Sequence, residues 1–259
     1  MQYADAALGT QSHLHARSDG EHRTHDATDA NASERNHLLR ALPPDDYAWL
    51  RPQLTPVRLL LKQALVESDS TITHAWFLRD GVASIIATHH EGGGVEVGTV
   101  GPEGFVGLPL LFGDDTIPNL VIVPVEGDAW RISAADFRRA LDERPALRRL
   151  CLRYAGCFTA QLAQSVACNR VHGVDERCAR WLLMAHDRVN RDAFDLTHEF
   201  FAFMLGVRRA GVTVAMRALQ DSGAIRYHRG RISIVDRERL EAASCSCYRI
   251  ALAAQSRLL

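Results

Sequence analysis

Gly206 separates two short helical patterns and narrows the choice of architecture more than any other residue. Thr197 is a good N-cap for a first helix over residues 198–205. Gly206 supplies the left-handed residue that a tight helix-to-helix turn requires. Ala202, four residues earlier, keeps a small side chain where a second helix must cross close by. Val207, Val212, Ala215, Met216 and Leu219 are spaced as the buried face of that second helix. An ordinary αα-hairpin would show as much, but here a hairpin of strands follows. Asp221-Ser222-Gly223 ends the second helix, and residues 225–227 read as a strand. His228-Arg229-Gly230 is a turn and residues 231–235 are a return strand. A helix-turn-helix followed at once by such a hairpin is a winged helix.

The charge of this segment differs from that of the whole. The 259-residue chain has a formal net charge of -1, which by itself points to neither nucleic acid nor membrane. Between positions 208 and 231, however, stand Arg208, Arg209, Arg217, Arg226, Arg229 and Arg231, with Asp221 the single acid. Lys62 is the only lysine of the chain, so the other cationic side chains are guanidinium forks, suited to phosphate and guanine. The expected DNA contacts are Arg208, Arg209, Thr213 and Arg217 on the second helix, Thr197 at the first, and His228 and Arg229 on the wing.

Upstream, the pattern changes twice. Residues 1–33 are polar, with few large apolar side chains, and read as a disordered tail. Its histidines, His13, His15, His22 and His25, lack the spacing of a metal site. Residues 36–54 are helical in rhythm, broken at Pro43-Pro44. Short apolar runs at 57–61, 75–78, 82–87, 95–100, 120–125 and 129–132 alternate with turn signals, predicting an antiparallel sandwich or barrel. Pro145 then opens a long helix to about Cys168. Its stripe of Leu147, Cys151, Tyr154, Phe158 and Leu162 has no evident partner in its own domain and is expected to be a dimer seam. A further helix is expected from Val174 to about Val189.

The order roll, long helix, winged helix resembles the Crp/Fnr family of transcription regulators. The strings Ile72-Thr73-His74, Val95-Glu96-Val97-Gly98-Thr99-Val100-Gly101 and Glu103-Gly104-Phe105-Val106-Gly107-Leu108-Pro109 carry the likeness in the first half. Leu205-Gly206-Val207-Arg208-Arg209 and Gly230-Arg231-Ile232 carry it in the second. The likeness spans about residues 36–248 and gives the expected fold class. This is α+β, with an N-terminal antiparallel β-roll (jelly-roll), a long dimerisation helix and a C-terminal winged helix-turn-helix. The expected divisions are tail 1–33, roll 34–144, dimerisation helix 145–172, winged helix 173–248 and C-terminal tail 249–259.

The resemblance further implies a homodimer on a palindromic double-stranded DNA operator, with RNA polymerase as a candidate partner and a small-molecule effector in the roll. It implies an effector pocket at Glu103, Gly104, Phe105, Val106, Gly107, Leu108 and Asn119. Arg209 matches the family arginine that reads guanine from the start of the recognition helix. Two departures qualify this. Ala210 and Val214 stand where cyclic-AMP-binding members have a glutamate and a second arginine. Leu108 and Ile117-Pro118-Asn119 stand where those members hold ribose and phosphate, so ordinary cyclic-AMP binding is not expected. Gly211 inside the recognition helix costs about 1 kcal/mol against alanine and is expected to soften or kink it.

Other readings are weaker. A cupin-type metalloenzyme needs convergent histidines, whereas His89 and His90 are adjacent and His74 stands alone. Cys151, Cys157, Cys168 and Cys178 fall on helices at spacings of no known cluster, and Cys245 and Cys247 form a close pair near the end. A member of the same fold that senses redox state, or one that binds partners other than DNA, remains the alternative. Neither a catalytic constellation nor a metal or cofactor site is expected. No run approaches the roughly 18 apolar residues of a membrane span, and no secretory signal is visible, so a cytoplasmic, membrane-free protein is expected.

Overall fold

The computed structural model describes Asn31 and residues 33–88 and 93–256. The tail histidines and the His89-His90 pair lie outside the described residues. Two short helices, α1 (His37–Arg40) and α2 (Pro44–Leu50), lead into the sheets. Asn36 caps α1 by accepting a hydrogen bond from Leu39 N, and its Nδ2 donates to Leu78 O and Gly104 O, both at 2.8 Å. One side chain thus ties the segment before α1 to β4 and to the turn before β7 of the roll.

Ten strands follow among the described residues: β1 (Thr55–Leu59), β2 (Ala64–Val66), β3 (Ser70–Thr71), β4 (His74–Leu78), β5 (Val82–Thr88), β6 (Gly94–Val100), β7 (Phe105–Val106), β8 (Thr116–Ile117), β9 (Leu120–Val125) and β10 (Gly127–Ser133). They form two antiparallel four-stranded sheets, β1-β10-β4-β7 and β2-β9-β5-β6, with a β3-β8 ribbon. The apolar faces of both sheets meet in one core around Phe77, Phe105 and Phe137. Five of the six expected runs fall within strands, and the run 57–61 outlasts β1 by two residues. In the turn before β3, Asp69 takes φ 56° where a glycine would be the easier residue.

Ser133 Oγ accepts from Asp136 N at 3.0 Å and starts α3 (Ala134–Glu143). Pro145 then opens α4 (Pro145–Val171), 27 residues long. Here one expectation is corrected. Leu147, Cys151, Tyr154 and Phe158 are almost fully buried in a single chain, and Leu162 packs beside them against the roll. A three- and four-residue period identifies a buried face, not what buries it, and the partner is the chain's own roll.

The winged-helix half begins with α5 (Val174–His186) and a strand, β11 (Ala193–Asp195). Then come α6 (His198–Leu205), α7 (Arg209–Asp221), β12 (Ile225–His228) and β13 (Arg231–Ile234). β11 adds to the wing to give a β11-β13-β12 sheet. Two helices close the chain, α8 (Arg237–Ala243) and α9 (Cys247–Gln255). The stretch expected to be a C-terminal tail is therefore largely helix, and it packs on α4, where Cys157 Sγ donates to Ala254 O at 3.3 Å.

The two halves share buried polar contacts. Arg188, just after α5, places Nε and Nη2 at 2.9 and 2.6 Å from Glu103 Oε1, both side chains being 5% exposed. Trp181 Nε1 donates to the Glu96 carboxylate, which also accepts from Ser84 Oγ. Burial raises the Glu96 pKa, opposed by those two hydrogen bonds. Arg191 pairs with Asp80 at 2.8 Å.

Candidate nucleic-acid interface and roll cavity

Thr197 Oγ1 accepts from Phe200 N at 3.2 Å and caps α6, as its position predicts. Gly206 adopts φ 63°, and a Cβ there would stand 3.1 Å from Val95 of β6, so the turn is both left-handed and closely approached. The buried face of α7 consists of Val212, Ala215, Met216 and Leu219. Its opposite face carries exposed Arg209, Thr213 and Arg217, with Arg208 at the N-cap. α7 runs unbroken through Gly211.

Arg208 makes no side-chain cap and is exposed at the helix start. Among the described residues neither Arg208 nor Arg209 is held in an ion pair, whereas Arg217 lies 3.9 Å from Asp221. At the wing tip Arg229 and Gly230 take φ 48° and 83°, the pair of positive values that a two-residue hairpin turn demands. Arg226, His228 and Arg229 are exposed along this edge, and Arg231 pairs with Asp195 at 3.3 Å. The helix start and the wing thus present a cationic surface on one half of a nearly neutral chain.

Thr213, expected as a base or phosphate contact, is exposed on α7 and has local partners of its own. Its hydroxyl donates to Arg209 O at 3.0 Å and lies 3.1 Å from His198 Nδ1. Burial, then the charge of Arg209, lowers the His198 pKa. His198 also stacks on Tyr227, 4.2 Å between centroids. This Thr213–His198–Tyr227 chain fixes α7 against α6 and the wing. Sequence reasoning missed it because His198 and Tyr227 meet only in the folded hairpin.

The roll encloses a cavity of about 390 Å³. Phe105, Val106, Gly107, Leu108 and Asn119 line it, as expected. Glu103 and Gly104 do not. The Gly101–Gly104 turn, closed by Gly104 N donating to Gly101 O at 3.0 Å, sends Glu103 away to Arg188. Gly104 instead backs onto the Tyr154 ring, with no room for a Cβ. Tyr154, Phe158 and Leu162 of α4 close the cavity from the other side, which gives the expected seam residues their role. Among the described lining residues Asp114 is the one charged group, and no arginine, lysine or histidine faces a bound phosphate. The residues present therefore do not fit a cyclic nucleotide held through its phosphate.

Residues 56–144 match the model of the cyclic nucleotide-binding domain, and residues 176–243 match that of the Crp-like helix-turn-helix domain. Among solved structures the chain resembles FixK2 from Bradyrhizobium japonicum at 13% identity and a TM-score of 0.62, covering 74% of this chain and 98% of that one. It resembles a CRP-family transcriptional regulator from Thermus thermophilus at 20% identity and a TM-score of 0.61, covering 73% and 96%. It also resembles the c-di-GMP-responsive global regulator CLP from Xanthomonas campestris at 14% identity and a TM-score of 0.56, covering 74% and 99%. The comparison with curated proteins found no match. None of the described helices is long and apolar enough to cross a membrane. With the roll, the long helix and the helix-turn-helix in this order, and both domain models matched, the chain belongs to the Crp/Fnr family of transcription regulators.

Proposed function

We propose that this regulator binds a two-fold symmetric DNA operator as a homodimer and responds to an uncharged, largely apolar effector in the roll. The observation that carries the DNA reading is the exposed arginine pair at the start of α7, free of ion pairs among the described residues, beside a basic wing. Arg209 is the base reader, Arg208 its neighbour at the helix start, and Arg217, His228 and Arg229 meet the backbone. Thr197 acts by capping α6, and Thr213 by tying α7 to His198 of α6. Gel-shift titration of a selected duplex against salt tests this reading. Binding that weakens steeply with salt supports it, and indifference to salt contradicts it.

The dimer face is moved to the other side of α4. Leu152, Gly156, Ala160, Ala163 and Val166 lie exposed along the face opposite the buried stripe, and a Cβ added at Gly156 would meet nothing within 4 Å. A 27-residue helix with small and apolar residues on its free face fits a second copy of itself. Leu152→Glu with Ala160→Glu is expected to yield a folded monomer in sedimentation. Affinity for a symmetric site should then fall about a hundredfold, because two half-sites no longer bind together. An unchanged dimer would contradict the assignment.

The effector reading rests on the lining, which is apolar apart from Asp114 and a few neutral polar groups such as Thr116 and Asn119. Cyclic AMP is expected to give no saturable heat in calorimetry at micromolar concentration. Saturable binding with a parallel rise in DNA affinity would overturn it.

A further inference from the structure

Four metal-ligating side chains from two distant stretches of sequence meet beside the junction of the roll and the winged helix. Cys168 lies in the last turn of α4, and His172 caps that helix four residues later. Cys245 and Cys247 flank Ser246 in the turn from α8 to α9. The three Sγ atoms and a histidine ring nitrogen all lie within 4.8 Å of one another. Cys168 Sγ and Cys245 Sγ are 3.6 Å apart, and Cys247 Sγ is 3.5 Å from His172 Nδ1. Around a tetrahedral ion with metal–sulfur bonds of about 2.3 Å and metal–nitrogen bonds of about 2.0 Å, neighbouring ligand atoms stand roughly 3.5–3.8 Å apart.

The backbone arranges this. His172 N donates to Cys168 O at 3.1 Å, so these two side chains share one helical face. Tyr248 N donates to Cys245 O at 3.1 Å, and the turn so formed aims both sulfurs of the pair at that face. The three cysteines are buried as a cluster of their own, apart from the two large apolar cores. Gln164 Nε2 donates to Cys247 Sγ at 3.0 Å, a hydrogen bond of the kind that orients and stabilises a ligating thiolate. The buried Arg177 of α5 donates Nη2 to Leu205 O, the residue before the Gly206 turn.

We propose that Cys168, His172, Cys245 and Cys247 form a closed structural Zn²⁺ site. Three thiols lose their protons to solvent on binding, neutral His172 supplies Nδ1, and nothing is oxidised or reduced. The resulting centre carries one net negative charge. Zinc suits it because four sulfur and nitrogen ligands fill a tetrahedron and leave no open position. A Cys168–Cys245 disulfide would use only two of the four groups and would need an oxidant. The ion fastens the turn between α8 and α9 to the end of α4.

The test is metal analysis of the full-length protein, purified under reducing conditions and dialysed against excess Zn²⁺ and then buffer. One zinc per chain is expected, and cobalt in its place should show the absorption of a tetrahedral thiolate complex. Cys168→Ser and Cys245→Ser should lose the metal and melt at a lower temperature, while Cys157→Ser, outside the cluster, keeps it. His172→Gln leaves the three thiols in place; it should retain native circular dichroism but yield zinc to a competing chelator at least tenfold more readily. The proposal is overturned if the wild-type chain takes up no zinc, or if zinc persists in both serine variants. It is equally overturned by bound iron in place of zinc, or by a Cys168–Cys245 disulfide found after rapid alkylation.

Discussion

Arg188→Met is expected to destabilise the folded protein by about 3–5 kcal/mol. Glu103 is buried, and Arg188 supplies two of the hydrogen bonds to its Oε1, with Gly101 N a third at 3.2 Å. Arg188 Nη1 also donates to Met184 O at 2.7 Å, which fixes the guanidinium at the end of α5. Removing the cation leaves a carboxylate in a low-dielectric site with one backbone donor. Against a total stability of about 5–15 kcal/mol, that loss is large. Urea unfolding should show a lower midpoint. The double variant Glu103→Gln with Arg188→Met should recover most of the loss, since no unpaired charge then remains. A single variant as stable as the parent would show that water or a rearrangement replaces the arginine, and the pair would no longer be the clamp between the halves.

Arg209→Ala is expected to relax sequence preference at one position in each half-site. An arginine fork on guanine O6 and N7 discriminates by about 1–3 kcal/mol, or roughly tenfold to a hundredfold per half-site. Arg209 is exposed at the first turn of α7 and unengaged by any acid among the described residues, so its loss should leave the fold intact. Arg229 sits on the wing tip, beyond the recognition helix and the first strand of the wing. Its change to Ala should weaken all sequences about equally and reduce the salt slope by roughly 1 per subunit. The contrast between the two variants separates base reading from backbone contact.

Regions of the chain differ in how much of their structure is encoded locally. The winged helix is legible because its signals are local: a cap at Thr197, a left-handed glycine at 206 and a tight turn at Arg229-Gly230 all act within a few residues. The longer strands are legible by alternation. β2, β3, β7 and β8 have three or two residues each, too few for a period to show. The stripe from Leu147 to Leu162 is plain in the sequence, yet its partner is set by how α4 lies on the roll. Glu103 adjoins the residues that line the cavity, and only the Gly101–Gly104 turn reveals that it points elsewhere. The cysteine and histidine cluster joins positions separated by 77 residues, a distance no spacing rule spans. What the sequence hides is consistently long-range pairing of polar groups.

The central claim is that the arginines at the start of α7 read DNA. Selection from a random duplex pool by the purified protein, compared for the parent, Arg208→Ala, Arg209→Ala and Arg229→Ala, tests it most directly. The account predicts a two-fold symmetric motif that Arg209→Ala loosens at one position per half-site and Arg229→Ala leaves unchanged. A motif altered by Arg229→Ala but kept by both helix variants, or no enriched motif at all, would contradict it.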